Sequence, residues 1–146
     1  MNKLATILVA VVGGVSLWVG PAHATTTTKQ EALQIIDSIR ADVEKVKGST
    51  TGVAPLSFDD CVLMRDHGRA LATLDRPAAF GRQFWAAAQK AGKEYSRVAQ
   101  AFMKPFPDIP AVTKHLVAGK RAVLQARRAD LAHGKRFGQA AIEFAP

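Results

Sequence analysis

Cysteine is almost absent from this chain, which has Cys61 as its one cysteine among 146 residues. An internal disulfide is therefore excluded, and the folded domain must be stabilised by its apolar core. A lone thiol is usually buried as a small apolar side chain. The alternative is an intermolecular bond, so the sequence leaves open a disulfide dimer through Cys61.

The short motifs of common enzymes and haem proteins are also missing. The chain contains no G-x-S-x-G, H-E-x-x-H or P-loop segment, and no C-x-x-C-H segment for covalent haem. Strand-type alternation of apolar and polar residues is absent after residue 24. We therefore predict a helical protein that is not an enzyme, and we assign no catalytic residue.

Residues 1–24 have the three parts of an export signal. Lys3 precedes an apolar run from Leu4 to Val19, and Pro21 stands before the small-residue triplet Ala22-His23-Ala24. Cleavage after Ala24 would leave residues 25–146 as a single helical domain, which we expect to be periplasmic or secreted, with no transmembrane span. An uncleaved anchor is the alternative, because the run is only slightly shorter than the ~20 residues of a spanning helix.

Apolar residues recur every three or four positions after the signal, a spacing that predicts four helices. Thr28 with Glu31 and Ser57 with Asp60 have the spacing of capping boxes and mark the first two starts, and Gly48 marks the end of helix one. The residues expected to face the core from helix two are Phe58, Leu63, Ala70, Leu71 and Leu74.

The second half of the chain predicts two longer helices. Helix three is expected to begin at Pro77 and to end near Met103, and helix four to run from Pro110 to Phe144 with a break near Gly134. The predicted fold class is all-α: a four-helix bundle-like domain in which a long hairpin of helices three and four is covered by the shorter helices one and two. We expect a monomer or a weakly self-associating protein.

Positive charge is concentrated in the C-terminal half. Residues 25–75 carry 6 basic and 8 acidic side chains, whereas residues 76–146 carry 13 basic and 4 acidic ones. Seven cations are expected along about 32 Å of the outer face of helix four, namely Lys114, Lys120, Arg121, Arg127, Arg128, Lys135 and Arg136. Such a face predicts binding to an acidic protein, anionic lipid or anionic polysaccharide.

Two other partners of a basic helix are less favoured. Aromatic residues do not alternate with the cations, so nucleic acid is an unlikely partner. Insertion of helix four into a membrane is disfavoured because its apolar side resembles a bundle seam and lacks the Trp-rich face of an interfacial helix.

A metal or non-covalent haem carrier is the alternative function. Cys61-x-x-Met64-x-x-His67 places soft and borderline ligands on helix two, and Asp130-x-x-His133 places a carboxylate and an imidazole one turn apart. His115, His133, Met64 and Met103 are the candidate axial ligands for haem. Asp37 and Asp42 are expected on a solvent-exposed face of helix one, so no second carboxylate set is assigned. The main prediction therefore includes no cofactor.

Overall fold

A computed structural model of the protein describes residues 8–11, 15–18, 27–50, 52 and 55–134. Its elements are β1 (Leu8–Val11), β2 (Val15–Trp18), α1 (Lys29–Thr50), α2 (Phe58–Thr73), α3 (Arg82–Phe102) and α4 (Ile109–Ala129). The two strands pair antiparallel within the apolar run assigned to the export signal. Lys3 and the cleavage site after Ala24 lie outside the described residues, so the export signal stays a prediction.

The starts of α1 and α2 are fixed by the two predicted capping boxes. The Thr28 hydroxyl accepts the Glu31 N–H at 3.2 Å, and the Glu31 carboxylate accepts the Thr28 N–H at 2.7 Å. Ser57 and Asp60 exchange the same two bonds at 3.1 and 3.3 Å. The predicted starts are confirmed. The prediction that helix one is shorter than helices three and four is wrong, because α1 has 22 residues and α3 and α4 have 21 each.

Consecutive helices pack antiparallel. The Lys45 ammonium on α1 lies 2.6 Å from the Asp60 carboxylate on α2, and Asp42 of α1 bonds His67 further along α2. Gly68 of α2 and Gly92 of α3 meet where those helices cross, and a Cβ atom on Gly68 would lie 2.5 Å from the Gly92 carbonyl oxygen. The absence of a side chain at both positions therefore brings the two backbones into contact.

The most extensive helix packing in the described part is between α3 and α4. The chain turns between them at Pro105–Pro110, where the Asp108 N–H donates to the Ala101 carbonyl oxygen at 3.1 Å. The Asp108 carboxylate then accepts the Ala111 N–H at 3.0 Å and caps α4. This confirms the central α3–α4 hairpin within an all-helical packing of α1 to α4.

All four helices contribute to one core. Its largest fully buried side chains include Ile36, Ile39, Met64, Leu71, Phe80, Phe84, Tyr95, Val98 and Val123. The predicted core face of α2 is wrong in part, because Phe58 is 64 % exposed and the buried set is Cys61, Met64, His67, Gly68 and Leu71. A polar residue can occupy that face because Asp42 of α1 supplies a partner for His67.

The start of α3 differs from the prediction. Pro77 to Phe80 form a turn, with the Phe80 N–H donating to the Pro77 carbonyl oxygen, and α3 begins at Arg82. Side chains hold this connection: Arg76 donates to the Phe80 carbonyl oxygen at 2.7 Å, and Trp85 donates to that of Leu74 at 3.2 Å. These bonds satisfy the carbonyl groups without helical geometry, and Phe80 is buried from a non-helical position.

The break predicted near Gly134 in helix four occurs earlier, because α4 ends at Ala129. Asp130 is extended at φ −150° and ψ 99°, and its carboxylate accepts the N–H groups of Ala132 and His133 at 3.0 and 3.2 Å. An aspartate that bonds the next N–H groups competes with helix continuation. The break therefore falls four residues before Gly134, and residues 131–134 form a separate helical turn.

Candidate anion-binding surface

The outward face of α4 carries three exposed cations spaced by seven residues: Lys114, Arg121 and Arg128. The apolar seam of α4, which consists of Val112, Leu116, Gly119, Val123 and Ala126 at four- and three-residue spacing, is buried. Because seven residues complete nearly two helical turns, cations at this spacing share one side while the seam stays against α3. The exposed position of these three side chains agrees with the prediction.

Lys120 and Arg127 lie beside this row and are partly exposed. Lys135 and Arg136 lie outside the described residues. Since α4 ends at Ala129, the row from Lys114 to Arg128 extends for about 21 Å along the helix rather than the predicted 32 Å. We use the name α4 cationic face for Lys114, Lys120, Arg121, Arg127 and Arg128.

The α4 cationic face has no neutralising carboxylates. The helix contains no Asp or Glu. Among the ion pairs of the described residues, none involves any of the five cations. The two acidic residues that flank the helix are paired elsewhere: the Asp130 carboxylate lies 2.7 Å from His133 Nδ1, and the Asp108 carboxylate lies 2.9 Å from the Lys104 ammonium, a bond that is the main reason for the lowered pKa of Asp108.

A shallow groove of about 520 Å³ runs between α3 and α4 beside Arg128. Its polar lining side chains are Gln83, Lys90, Gln125 and Arg128, and its apolar lining is Ala86, Ala87 and Ala129. Lys90 and Arg128 are both exposed and approach from opposite helices. Two cations and two amides on one groove suit an anionic group. The groove could not be predicted from the sequence, because the juxtaposition of Lys90 with Arg128 depends on the α3–α4 register.

Glu94, the acidic residue of α3, forms its bonds within the α3–α4 hairpin. Glu94 is buried, and its carboxylate lies 2.7 Å from His115 Nδ1 on α4 and 3.0 Å from the Arg97 guanidinium. The distance is that of a hydrogen bond between the carboxylate and the imidazole. Glu94 thus joins α3 to α4 and contributes little negative charge to the surface. Its position between Ala91 and Val98 in the apolar stripe was a sequence signal for burial.

The predicted Asp130–His133 pair forms, but as part of the chain break. His133 Nδ1 lies 2.7 Å from the Asp130 carboxylate, and the pKa of Asp130 is lowered first by this bond and then by the backbone N–H of His133. The His133 ring packs edge-on against Phe80, with ring centres 4.7 Å apart. The Asp130 and His133 side chains therefore hold the turn after α4 against the core.

The α2 residues of the predicted metal set all face the core. Cys61 and Met64 are buried, and His67 Nδ1 lies 2.7 Å from the Asp42 carboxylate. Burial is the main cause of a raised pKa for the Cys61 thiol, and the Asp60 charge adds to it. A raised pKa disfavours the thiolate that binds metals. The expectation that Asp42 is solvent-exposed is wrong, since it is 5 % exposed.

The α2 residues of the predicted metal set and the Asp130–His133 pair do not come together. Gly68, one turn from Met64, crosses α3 at Gly92 and Ser96, whereas His133 contacts Phe84 near the start of α3. Positions 84 and 96 are about 18 Å apart along a helix. Across the residues that the structure describes, no group of three or more His, Cys, Asp or Glu side chains could hold a metal ion.

No protein-family model, curated protein or solved structure matches the chain. Within the described part of the chain, no helix is long and apolar enough to cross a membrane.

Proposed function

We propose that this is an exported, non-catalytic helical protein that binds an anionic partner or envelope surface through its basic α3–α4 hairpin. In this proposal, the four-helix domain follows a cleaved export signal and acts outside the cytosol. The observation that carries it is the α4 cationic face: five cations on one helix with no carboxylate partner among the described residues. A helix whose charge is balanced for solubility alone usually has acidic residues among the basic ones.

The charge balance of the whole hairpin supports the same conclusion. Residues 82–129 contain ten Lys and Arg and two acidic residues, Glu94 and Asp108. Glu94 is buried between His115 and Arg97, and Asp108 bonds Lys104. The positive potential of the hairpin therefore reaches solvent almost undiminished, as expected for a surface that attracts anions.

Charge reversal of the exposed row tests the proposal. The triple variant Lys114→Glu, Arg121→Glu and Arg128→Glu should lose binding to vesicles containing anionic lipid and to dextran sulfate. At about 1 kcal/mol per cation near an anionic surface, three lost attractions predict at least a 100-fold weaker association. Binding is measured by co-sedimentation at 50 and 300 mM salt, and wild-type binding should fall at the higher salt.

A matched control keeps net charge equal. Lys29, Arg40 and Arg69 are exposed cations on α1 and α2 that make no described ion pair. Reversing these three changes net charge by the same amount, and this variant should retain most of the binding. Equal loss in both variants would show that overall charge, and not the hairpin, is responsible, and absence of wild-type binding to either polyanion would reject the proposal.

A further inference from the structure

Three of the large apolar side chains that the structure leaves exposed lie at one end of the bundle. Phe106 is 89 % exposed and Ile109 is 55 % exposed, both within residues 105–110, which we call the apolar corner. Phe58, 64 % exposed, begins α2 at the same end, because α2 and α3 are antiparallel. Large exposed apolar side chains that lie close together mark interaction sites, and Phe106 and Ile109 are three residues apart.

Five of the six residues of the apolar corner have no backbone N–H group that still needs a hydrogen-bond partner. Three of its six residues are prolines, which have no N–H group to dehydrate. The N–H groups of Asp108 and Ile109 are already bonded to the carbonyl oxygens of Ala101 and Pro107, each at 3.1 Å. Burying a satisfied backbone avoids the penalty of unpaired polar groups. The prolines and these bonds also hold Phe106 on a stiff turn.

Ile109 of the apolar corner lies on the flank of α4 that carries Lys120 and Arg127, about 100–140° around the axis from Lys114, Arg121 and Arg128. At about 100° per residue, Ile109 lies within about 20° of Lys120 and Arg127 around the axis of α4. Val117 and Leu124, both partly exposed, fall between the row of Lys120 and Arg127 and the row of Lys114, Arg121 and Arg128. Apolar side chains bordered by cations are typical of helices that lie in a membrane interface.

We infer that the anionic partner is a lipid surface, on which α4 lies with its cations at the headgroups while Phe106 and Ile109 enter the interface. This inference rests on the proposed function and narrows its partner to one class. An anionic polysaccharide would satisfy the cations but offers no apolar phase for the corner. A lipid interface satisfies both, because charge attraction and apolar burial add in interfacial binding.

The test compares the full chain with a corner variant, Phe106→Ser with Ile109→Ser. Binding is measured to phosphatidylcholine vesicles with and without 30 % phosphatidylglycerol, and separately to dextran sulfate. Removing two apolar side chains from the interface should weaken binding to the anionic vesicles by at least tenfold and leave dextran sulfate binding unchanged. Leu131→Ser is the matched control, because Leu131 is 65 % exposed and lies beyond the other end of α4.

Insertion has a direct spectroscopic test. Phe106→Trp should add fluorescence that brominated phosphatidylcholine, mixed with phosphatidylglycerol, quenches beyond the quenching seen in the wild type. The wild type and all variants are compared in the same form, so any binding caused by residues 1–24 is common to all of them and would also appear on purely zwitterionic vesicles.

The outcomes separate the two proposals. Dextran sulfate binding without anionic-vesicle binding, or a corner variant that binds vesicles as well as the wild type, overturns the lipid inference and leaves the proposed function standing. If the corner variant still binds an acidic protein as the wild type does, the lipid inference is likewise overturned and the proposed function stands. No binding to any polyanion rejects both.

Discussion

The crossing of α2 and α3 allows a stability prediction in which local and tertiary effects have opposite signs. Replacing Gly68 by Ala within α2 should gain about 1 kcal/mol from helix propensity. The same methyl group would lie 2.5 Å from the Gly92 carbonyl oxygen, whereas ordinary contacts begin at 3.4 Å. That oxygen is a backbone atom, so no rotamer change relieves the clash and the helices must separate by about 0.9 Å.

Separation on this scale outweighs the gain in propensity. A gap of 0.5–1 Å removes roughly a quarter to a half of the dispersion energy of each contact across an interface. Overpacking at a rigid site costs about 3 kcal/mol, so Gly68→Ala should be less stable by about 2 kcal/mol net. For a domain of this size, the expected decrease in Tm is about 8 °C, measured by circular dichroism at 222 nm.

Gly48→Ala is the matched control in α1. A Cβ atom there meets nothing within 4 Å, so the propensity gain is unopposed and Tm should stay equal or rise. Gly92→Ala should also destabilise, and because both substitutions spread the same crossing, the double variant should lose less than the sum of the two losses. A Gly68→Ala protein that melts at or above the wild-type temperature would refute the backbone-contact argument.

Two further predictions concern Asp60 and Cys61. Lys45 and Ser57 lower the pKa of Asp60 to about 2 from an ordinary 3.8. A carboxyl whose pKa is lower in the folded state stabilises the protein above about pH 4. This stabilisation disappears as pH falls toward 2. Because this pair is largely solvated, Asp60→Asn should lose about 1 kcal/mol in urea unfolding at pH 6 and nothing at pH 2, and a pH-independent loss would contradict the charge explanation. Because Cys61 is buried and the pKa of its thiol is raised, it should not react with Ellman's reagent in the native protein, whereas it should react once the protein is unfolded in urea. Rapid labelling of the native protein, or a reductant-sensitive dimer formed without unfolding, would show that the thiol is accessible.

Features that depend on a few neighbouring residues were predictable from the sequence. Each capping box links residues three apart, so Thr28 with Glu31 and Ser57 with Asp60 needed no tertiary information. The seam of α4 was predictable as far as Ala126 because the four-three spacing of apolar residues is unambiguous there. The three exposed cations follow from the same register, since they lie opposite the seam.

Features that depend on a competing bond or on a partner helix were not predictable. At Asp130, helical periodicity continues, yet its side chain bonds the N–H groups of Ala132 and His133 and ends α4. Asp42 was read as solvent-exposed, although it lies three residues after Ile39 and four before Val46 on the apolar face. Its burial needs His67 from another helix, and the pairing of helices is not contained in the spacing of one of them.

The spacing of the α4 cations also constrains the size of the partner. Lys114, Arg121 and Arg128 are each about 10.5 Å from the next along the helix, which exceeds the Debye length of about 8 Å at physiological ionic strength. Each cation therefore interacts mainly with its own anion, and one small anion cannot bridge two of them. The three cations can bind at the same time only to an extended array of negative charges, such as a polyanion or an anionic lipid surface. A free phosphate or sulfate could at most occupy the groove between Lys90 and Arg128, so competition by millimolar phosphate should be weak where competition by dextran sulfate is strong.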